Sequence, residues 1–428
     1  MEIPQKVIDK VLSHIDTEEL IDLTGRLVCT NTVWDPAAGT SEEPAAKVVA
    51  EWASGKGFDV RWDEVAPGRP NIIIRWQAGP GKRTLMFEGH TDVVTPGDAS
   101  AWSFDPFGGQ IAGRRMYGRG ANDTKGNLAA MLIAMAALKR SGVRLAGTIV
   151  GGVLCDEEDQ MLGVQDFIDR GHADKVTAAV ICEPQDGLIC CTQKGALRAC
   201  FTITGRMSHG AIPLSGLNSA PAVSRLIDGL HLLELEAIKA FGKDKYLGWP
   251  SFTPTVIQAP ARGAPQLNVI PGLARILVDI RTVPNQSHPK IITALNRLAS
   301  ETGNKVLLHY EAYDRLLNLD RNRNLHILPE VLSDRPCTLT DINDPVVTAA
   351  DWATRRITGG IPEYAGVPGA TDGTFLWAQK KIPIVTMGAG DRHVPHQVDE
   401  WVDLDQLAET ARIYALTALR YLMPQGGK

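Results

Sequence analysis

The sequence predicts an α/β fold with a mixed, largely parallel sheet flanked by helices and an inserted ferredoxin-like β-α-β-β-α-β domain. Three observations lead to this prediction. Apolar, strand-like runs alternate with helical patterns in the first half of the chain. Near residue 194 the order changes to strand, helix, two strands, helix and strand. The first pattern then returns near residue 345.

The first half predicts helices, then strands with a long helix between them. Helical patterns cover residues 5–15, 17–29, 42–56 and 126–139. The last of these precedes Ser141-Gly142, a sequence that commonly ends a helix. The strand-like runs cover residues 71–76, 84–88, 148–155 and 176–182. Nearly continuous apolar strands of this kind are typical of a sheet covered on both faces.

The second half predicts the inserted domain and a return to the first. Strands are expected at 197–204, 252–258, 274–281 and 305–313, with helices at 217–241 and 288–302. A helix at 345–357, a strand at 382–387 and a helix at 404–422 follow. We therefore predict two domains, one formed by residues 1–193 and 316–428 and the other by residues 194–315. The long return segment, 315–344, is interpreted as a surface elaboration rather than as part of a pocket.

Composition narrows the class of protein. The 428 residues are 44% hydrophobic and 22% charged, which argues against disorder, and the net charge of −5 argues against nucleic acid or a membrane as partner. The seven cysteines form no CxxC pair, so reduced thiols are expected. The first residues lack the basic and apolar parts of a signal peptide. A cytoplasmic location is therefore predicted.

Side chains that can bind metal ions follow the ends of four predicted strands. Ligands of open α/β sheets bind beyond the carboxyl ends of their strands. A fifth cluster, around Asp123, opens the long helix. The strand-end residues are His90 and Asp92, the acidic run 156–159, Glu183, and the group Asp391, His393 and His396.

These residue types suit divalent cations, which prefer carboxylate oxygen and imidazole nitrogen. In a His-x-Asp pair on an extended segment both side chains project to one side, so Asp92 can orient the ring of His90. Of two adjacent glutamates, one can bind a metal while its neighbour acts as a general base. The five clusters together predict a metal site. A dinucleotide site at Gly118-x-Gly120 is disfavoured, because Asp123 stands where the third glycine would be.

The sequence resembles the M20 metallopeptidase family over nearly its whole length. That family includes aminoacylases, glutamate-releasing carboxypeptidases, succinyl-diaminopimelate desuccinylases and acetylornithine deacetylases. The usual Asp-Met-Lys-Gly-Gly is replaced here by Asp123-Thr-Lys-Gly-Asn127. The matching motifs are Glu88-Gly-His-Thr-Asp-Val-Val94, Tyr117-Gly-Arg-Gly-Ala-Asn-Asp-Thr-Lys-Gly126, Asp156-Glu-Glu158, Glu183-Pro184, Gly205-Arg-Met-Ser-His209, Gly216-Leu-Asn-Ser219, Asn268-Val-Ile-Pro271, Asp279-Ile-Arg281 and His396-Gln-Val-Asp-Glu-Trp-Val402.

The resemblance implies a site for two divalent ions, with zinc, manganese and cobalt as the candidates. Asp123 would bridge the two ions. His90 and Glu183 would complete one of them, and Glu158 and His396 the other. His393 is the alternative to His396, which is preferred because it begins the family's H-x-x-[DN]-E pattern.

The resemblance also implies the catalytic groups and the role of the inserted domain. Glu157 would be the general base, and Asp92 would hold His90. The inserted domain would serve as a lid and as the surface of a homodimer, in which His209 would reach the partner's site and stabilise an oxyanion. A locally bonded loop histidine is the alternative for His209.

Substrate-binding residues follow in the same way. Arg281 and Asn268 would bind polar groups of the substrate, commonly a carboxylate, for which a guanidinium is suited. An ordinary surface ion pair is the alternative for Arg281. Gly369 and Thr371 lie in the segment that corresponds to the family's glycine-rich substrate loop.

The expected activity is hydrolysis of a C–N bond in a small substrate that carries a carboxylate. An amidohydrolase, deacylase or small peptidase is favoured. Direct deamination of an aromatic amino acid, as by 5-nitroanthranilic acid aminohydrolase, needs the same groups and stays open. The other classes are a non-catalytic metal-binding homologue and a thiol hydrolase that uses Cys155 or Cys182.

Overall fold

The computed structural model describes residues 3–319 and 321–424. The chain divides into two compact units. The first comprises the described residues of Met1–Gln193, Thr338–Val367 and Thr371–Lys428. The second comprises those of Lys194–Cys337 together with Pro368–Ala370. The second unit thus extends beyond residue 315, where the sequence placed its end.

The helices alternate with strands through most of the chain. Short helical turns occur at Ala99–Ala101, Ala121–Lys125 and Pro213–Ser215. The helices are α1 (Gln5–Leu12), α2 (Thr17–Val28), α3 (Glu43–Gly55), α4 (Gly126–Ser141), α5 (Leu162–Asp169), α6 (Ala220–Phe241), α7 (His288–Leu316), α8 (Pro345–Thr358), α9 (Gly373–Lys380) and α10 (Leu404–Tyr421).

The strands form a large sheet in the first unit and smaller sheets elsewhere. They are β1 (Asp59–Ala66), β2 (Arg69–Gln77), β3 (Thr84–His90), β4 (Gln110–Ala112), β5 (Arg115–Tyr117), β6 (Thr148–Leu154), β7 (Ala178–Ile181), β8 (Ile189–Gln193), β9 (Gly195–Thr204), β10 (Ser208–His209), β11 (Ser251–Gln258), β12 (Val269–Ile270), β13 (Leu273–Thr282), β14 (His326–Arg335), β15 (Thr338–Leu339), β16 (Tyr364–Val367), β17 (Ile384–Thr386) and β18 (Trp401–Asp403).

The large sheet has the order β1-β2-β6-β3-β7-β17-β8-β15, and β16 also pairs with β8. Its centre is parallel, because β3 pairs in parallel with β6 and β7, and β17 pairs in parallel with β7. Antiparallel strands flank this centre, since β2 runs opposite to β6 and β8 opposite to β17. The predicted fold class, a mixed and largely parallel sheet flanked by helices, is confirmed.

Alternation along β3 explains how both faces of the sheet are covered. Phe87 packs toward α10, where the centroid of its ring lies 5.6 Å from the ring centroid of Tyr414. The neighbouring Met86 joins an apolar cluster that includes Phe167 of α5 and Leu376 of α9. Because successive strand residues point to opposite faces and both faces are covered, the apolar residues Leu85, Met86 and Phe87 can follow one another along the strand. Helix α4 is buried along nearly its whole length, so it has no polar face.

The second unit is built on an antiparallel sheet of order β11-β13-β9-β14. Helices α6 and α7 contribute apolar residues to the same core as this sheet. The strand predicted at 305–313 is wrong, because these residues belong to α7. Buried positions along α7 recur every three or four residues, as in Leu295, Ala299, Thr302 and Val306.

The fourth strand of this sheet is instead β14, which pairs with β9 from His326↔Thr204 to Arg335↔Ala196. It lies in the segment 315–344 that was interpreted as a surface elaboration. That interpretation is therefore wrong, and the predicted domain boundary at residue 315 is too early. Within residues 3–319 and 321–424, no helix combines the length and apolar character that a bilayer crossing requires.

Candidate metal centre

Four neighbouring parallel strands deliver most of the predicted ligands to one edge of the sheet. His90 is the last residue of β3. The acidic run 156–158 follows β6, Glu183 follows β7, and His396 lies in the segment after β17. Parallel strands share the edge at which they end, so their polar side chains converge there.

Asp123 lies between the two histidines. Its Oδ1 atom is 3.2 Å from Nε2 of His90, and its Oδ2 atom is 3.5 Å from Nε2 of His396. Glu158 joins the second histidine, with Oε1 at 3.0 Å from Nε2 of His396, and Glu183 Oε1 is 3.6 Å from Nε2 of His90. Single ligand atoms of His90, Asp123 and Glu158 all lie within 4.8 Å of one another. The predicted ligands therefore come together as two imidazole–carboxylate sets that share Asp123.

His393 has a different environment. Like His396 it is exposed, but the contacts that it makes through its backbone are with Asp391 and Gln397. His396, in contrast, has Nε2 within 3.5 Å of both Asp123 and Glu158. The geometry thus favours His396 over the alternative.

The electrostatics of this cluster suit a cation. Burial and the charges of neighbouring carboxylates raise the pKa of Glu157 and of Glu183 well above the ordinary value. Hydrogen bonds to Asp123 and Glu158 raise the pKa of His396 to about 10. The cluster therefore contains more buried carboxylates than positively charged groups, and a bound cation would offset this excess of negative charge. Carboxylate oxygens and imidazole nitrogens are the donors that zinc, manganese or cobalt ions prefer, so these residues fit such ions.

Asp92 contacts both His90 and the acidic segment. The atom of Asp92 nearest to the His90 ring is its carbonyl oxygen, 3.0 Å from Nδ1, whereas its Oδ1 atom is 3.5 Å away. The carboxylate accepts the backbone N–H groups of Glu157 and Glu158, at 3.1 and 3.0 Å. Asp92 therefore orients His90 mainly through its backbone and holds the two glutamates through its side chain.

The start of the acidic segment is fixed by a buried arginine. Asp156 has a positive φ of 66°, which a non-glycine residue adopts only where its surroundings hold it. Its Oδ1 atom is 2.6 Å from Nη1 of Arg69, and Arg69 also pairs with buried Glu42. The neighbouring Glu157 side chain is buried, with 8% of its surface exposed. The general base predicted from the sequence is thus placed beside the ligands in a water-poor environment.

The departure from the usual family motif has a structural role. Asn127 donates through Nδ2 to the carbonyl of Ala389 at 2.9 Å and accepts the Ala389 N–H through Oδ1 at 2.8 Å. A glycine could make neither contact. Asn127 thereby ties the first turn of α4 to the segment that leads from β17 to His396.

Glu88 and Asp372 form a buried carboxyl pair that the sequence interpretation missed. Both side chains are fully buried. Burial raises the pKa of Glu88 to about 7, and burial together with the charge of Glu88 raises the pKa of Asp372. The sequence does contain a signal for Glu88. It lies two residues before His90 in the same strand, and residues two apart in a strand share a face, so Glu88 is expected on the same side as the proposed ligand.

The second unit brings two of its predicted residues together. His209 in β10 is paired in register with Val269, the neighbour of Asn268, and the Gly210 N–H donates to the Asn268 carbonyl at 2.7 Å. Both side chains are exposed. Nδ1 of His209 accepts the N–H of Ala211 at 2.9 Å, which leaves Nε2 free to face solvent or a ligand.

The other residues predicted to bind substrate already make contacts within the protein, or lie in different units. Arg281 makes the ion pair considered as its alternative, with Nε and Nη2 at 2.6 and 3.2 Å from the two oxygens of Asp279. Gly369 belongs to the second unit and Thr371 to the first. The Thr371 hydroxyl is buried and donates to Oε1 of Gln193 at 2.9 Å. A substrate-binding role for Thr371 thus gains no support from its side chain.

The thiol alternative is disfavoured. Cys155 and Cys182 are fully buried, and burial raises the pKa of both thiols far above the ordinary value. A cysteine nucleophile acts as the thiolate, which these surroundings suppress.

Comparison with known proteins gives one family. The model of peptidase family M20/M25/M40 matches residues 86–420. A succinyl-diaminopimelate desuccinylase of Cereibacter sphaeroides is 31% identical over 390 residues, which cover 88% of this chain and 93% of the relative.

Solved structures share the fold. The M20 family metallo-carboxypeptidase Sso-CP2 of Sulfolobus solfataricus matches with a TM-score of 0.74 and 20% identity, covering 95% of this chain and 99% of that one. The YXEP protein of Bacillus subtilis, described as a dinuclear metal-binding peptidase, matches with a TM-score of 0.69 and 16% identity over 95% and 98% of the two chains. The chain therefore belongs to peptidase family M20/M25/M40 and is a hydrolase that acts on C–N bonds.

Proposed function

We propose that this hydrolase uses two divalent metal ions to cleave the amide bond of a small substrate that carries a carboxylate. The observation that carries the proposal is the position of Asp123, whose two carboxylate oxygens face different imidazoles. A carboxylate in that position can be shared by two ions.

Two groups of residues would hold the two ions. His90 and Glu183 would hold one ion and His396 and Glu158 the other, with Asp123 common to both. Zinc, manganese and cobalt are the candidates, since all three accept imidazole and carboxylate ligands. When bound, such ions supply Lewis-acid polarisation of the substrate carbonyl and lower the pKa of water.

Glu157 would carry the protons. It would accept a proton from the attacking water and deliver it to the departing nitrogen. Burial raises the pKa of its carboxyl, which favours the protonated form that must deliver a proton to the departing nitrogen. Asp92 would keep Glu157 in place through its hydrogen bond to the Glu157 N–H.

The second unit would serve as lid and dimerisation domain. His209 would stabilise the oxyanion in the partner subunit's site of a homodimer, a role that its exposed ring and free Nε2 atom support. Arg281 and Asn268 would bind the substrate carboxylate, and Gly369 with Thr371 would border the substrate. The ion pair with Asp279 would hold the Arg281 guanidinium in one orientation.

An N-acyl amino acid or a small peptide is the proposed substrate class. The relative's name places N-succinyl amino acids first among the compounds to test. We propose a cytoplasmic location, in keeping with the reduced thiols that the sequence predicts.

The test is a substrate screen of metal-depleted protein after addition of Zn²⁺, Mn²⁺ or Co²⁺. N-succinyl and N-acetyl amino acids, dipeptides and 5-nitroanthranilate would be supplied, and amino-acid release and ammonia release measured separately. We expect metal-dependent amino-acid release. Ammonia release from 5-nitroanthranilate alone would replace the proposal by the aminohydrolase alternative, and no turnover with any compound would favour a non-catalytic homologue.

The matched control is Glu157→Ala. It should bind metal with the same stoichiometry and show no turnover, because the ligands remain while the proton carrier is lost. Retained activity in this variant would remove Glu157 from the mechanism without affecting the metal assignment.

A further inference from the structure

Glu400 is a buried carboxylate that touches the backbone around Asp123. Its side chain is fully buried. A single oxygen, Oε1, accepts three backbone N–H groups, from Gly120 at 3.0 Å, Asn122 at 3.1 Å and Asp123 at 3.0 Å. The residue therefore acts on the loop 120–123 and not on an imidazole.

The second oxygen of Glu400 is fixed from the other side. Oε2 pairs with Nη1 of Arg119. Arg119 is itself buried, with 2% of its surface exposed. The Arg119 guanidinium lies 5.2 Å from the ring centre of Trp102. The backbones are joined as well, since the Gly118 N–H donates to the Glu400 carbonyl at 2.9 Å. Both carboxylate oxygens are thus held, and rotation of the side chain is blocked.

The loop conformation depends on such an acceptor. Successive backbone N–H groups that point to one spot form a nest, which favours an anion at its centre. Gly120 makes this nest possible with a positive φ of 85°, and a Cβ atom there would lie 2.7 Å from Cγ1 of Val93. Without the carboxylate, these N–H groups would be buried and left without an acceptor.

We propose that Glu400 is a positioning residue that holds the loop 120–123 so that the two oxygens of Asp123 face His90 and His396. This inference rests on the proposed two-metal site and adds a specific support for its shared ligand. It also gives a structural reason for the glutamate that ends the H-x-x-[DN]-E pattern, which is Glu400 in this chain. Two motifs that are distant in the chain, one ending at Glu400 and one containing Asp123, meet in a single set of hydrogen bonds.

The experiment measures metal affinity and metal environment, not turnover. Metal-depleted wild type, Glu400→Gln and Glu400→Ala would be titrated with Zn²⁺ against a competing chelator, and with Co²⁺ while its visible absorption is recorded. Loss of a residue that supports metal ligands typically weakens metal binding by about 10- to 100-fold. We expect weakening of this size in the alanine variant with a changed Co²⁺ spectrum, and a smaller effect in the glutamine variant, which keeps one acceptor oxygen.

The matched control is Asp63→Asn, which removes another buried carboxylate of the first unit. Asp63 is 4% exposed and accepts from Nε2 of His172 at 2.7 Å. Its substitution should lower the melting temperature and leave Zn²⁺ affinity and the Co²⁺ spectrum unchanged. Equal Zn²⁺ affinity and an identical spectrum in wild type and both Glu400 variants would overturn the inference. Failure of the wild type to bind two ions would overturn the proposed function instead.

A measurement on the wild type keeps the test valid if the Glu400 variants do not fold. Hydrogen exchange of the amides of Gly120, Asn122 and Asp123 would be recorded in metal-depleted protein. We expect strong protection at all three, because Glu400 accepts them in the absence of metal. Exchange as fast as that of an unstructured peptide would overturn the inference.

Discussion

The carboxylate of Asp92 accepts the backbone N–H of Glu158 at 3.0 Å, and its other oxygen accepts that of Glu157 at 3.1 Å. One buried side chain thus sets the positions of a proposed ligand and of the proposed base. The relationship predicts that Asp92 controls both metal binding and turnover.

Substitution Asp92→Ala should therefore weaken Zn²⁺ binding by about 10- to 100-fold, the range found for residues that orient metal ligands. It should also lower kcat at saturating metal, because the Glu157 segment loses its anchor. Competition titration and steady-state kinetics measure the two effects. The exposed Asp98, which caps a short turn on the surface, provides the control as Asp98→Ala. Normal kcat at saturating metal would contradict the anchoring role.

Metal binding should release protons. Without metal, hydrogen bonds to Asp123 and Glu158 raise the pKa of His396 to about 10, so at pH 7 its ring carries a proton. An imidazolium cannot bind a metal, so the ion must displace that proton. The apparent affinity should therefore rise as pH increases toward 10 and fall as pH decreases.

Calorimetric titration of metal-depleted protein in buffers of different ionisation enthalpy measures this release. The observed enthalpy should vary linearly with the buffer enthalpy. Titration of His396→Ala should release fewer protons. Enthalpies that are the same in every buffer would contradict the prediction.

Asn127 should contribute to stability through its contacts with Ala389. Asn127→Gly removes two buried hydrogen bonds and places glycine in the first turn of α4. We expect the free energy of unfolding to fall by about 2–4 kcal/mol from these two effects. Urea denaturation measures the change. Asn296→Gly in α7 removes an exposed amide that donates to the carbonyl of Ile292 in the same helix, so it controls for the glycine effect together with the loss of one exposed hydrogen bond. Equal losses in the two variants would show that the contacts with Ala389 contribute nothing.

The strand order of the second unit predicts where an independent fragment must end. Strand β14 pairs with β9 along its length, and β9 lies between β13 and β14. A fragment 194–337 should fold, whereas a fragment 194–315 should not, because one edge of β9 loses its hydrogen bonds and the core is opened. Circular dichroism and thermal melting of both fragments test this. A cooperative transition in the shorter fragment would contradict it.

The ends of the buried strands could be predicted because their signals are local. An apolar run that stops at a histidine or carboxylate, as at His90 and Glu183, gives both the strand and its polar end. Parallel pairing then requires these ends to meet. The central sheet and the residues brought together at its edge could therefore be predicted from the sequence.

Other features depend on contacts that no local pattern contains. Residues 305–313 contain the strand-favouring Val306, Tyr310 and Tyr313, but burial at helical spacing makes them part of α7. Strand β14 alternates between exposed and half-buried residues and lacks an apolar run. The pairing of Glu88 with Asp372, and of Glu400 with the loop 120–123, joins segments that are far apart in the chain. Only the folded sheet places them side by side.

The position of β17 between β7 and β8 has a consequence for the order in which the protein is made. Strands β7 and β8 are neighbours in sequence, yet the strand that separates them is synthesised after the whole second unit. A nascent chain that ends before residue 384 already contains four of the five proposed ligands but lacks β17 and His396. On the proposed assignment, capture of the second ion would wait until β17 has joined the sheet and His396 has been synthesised.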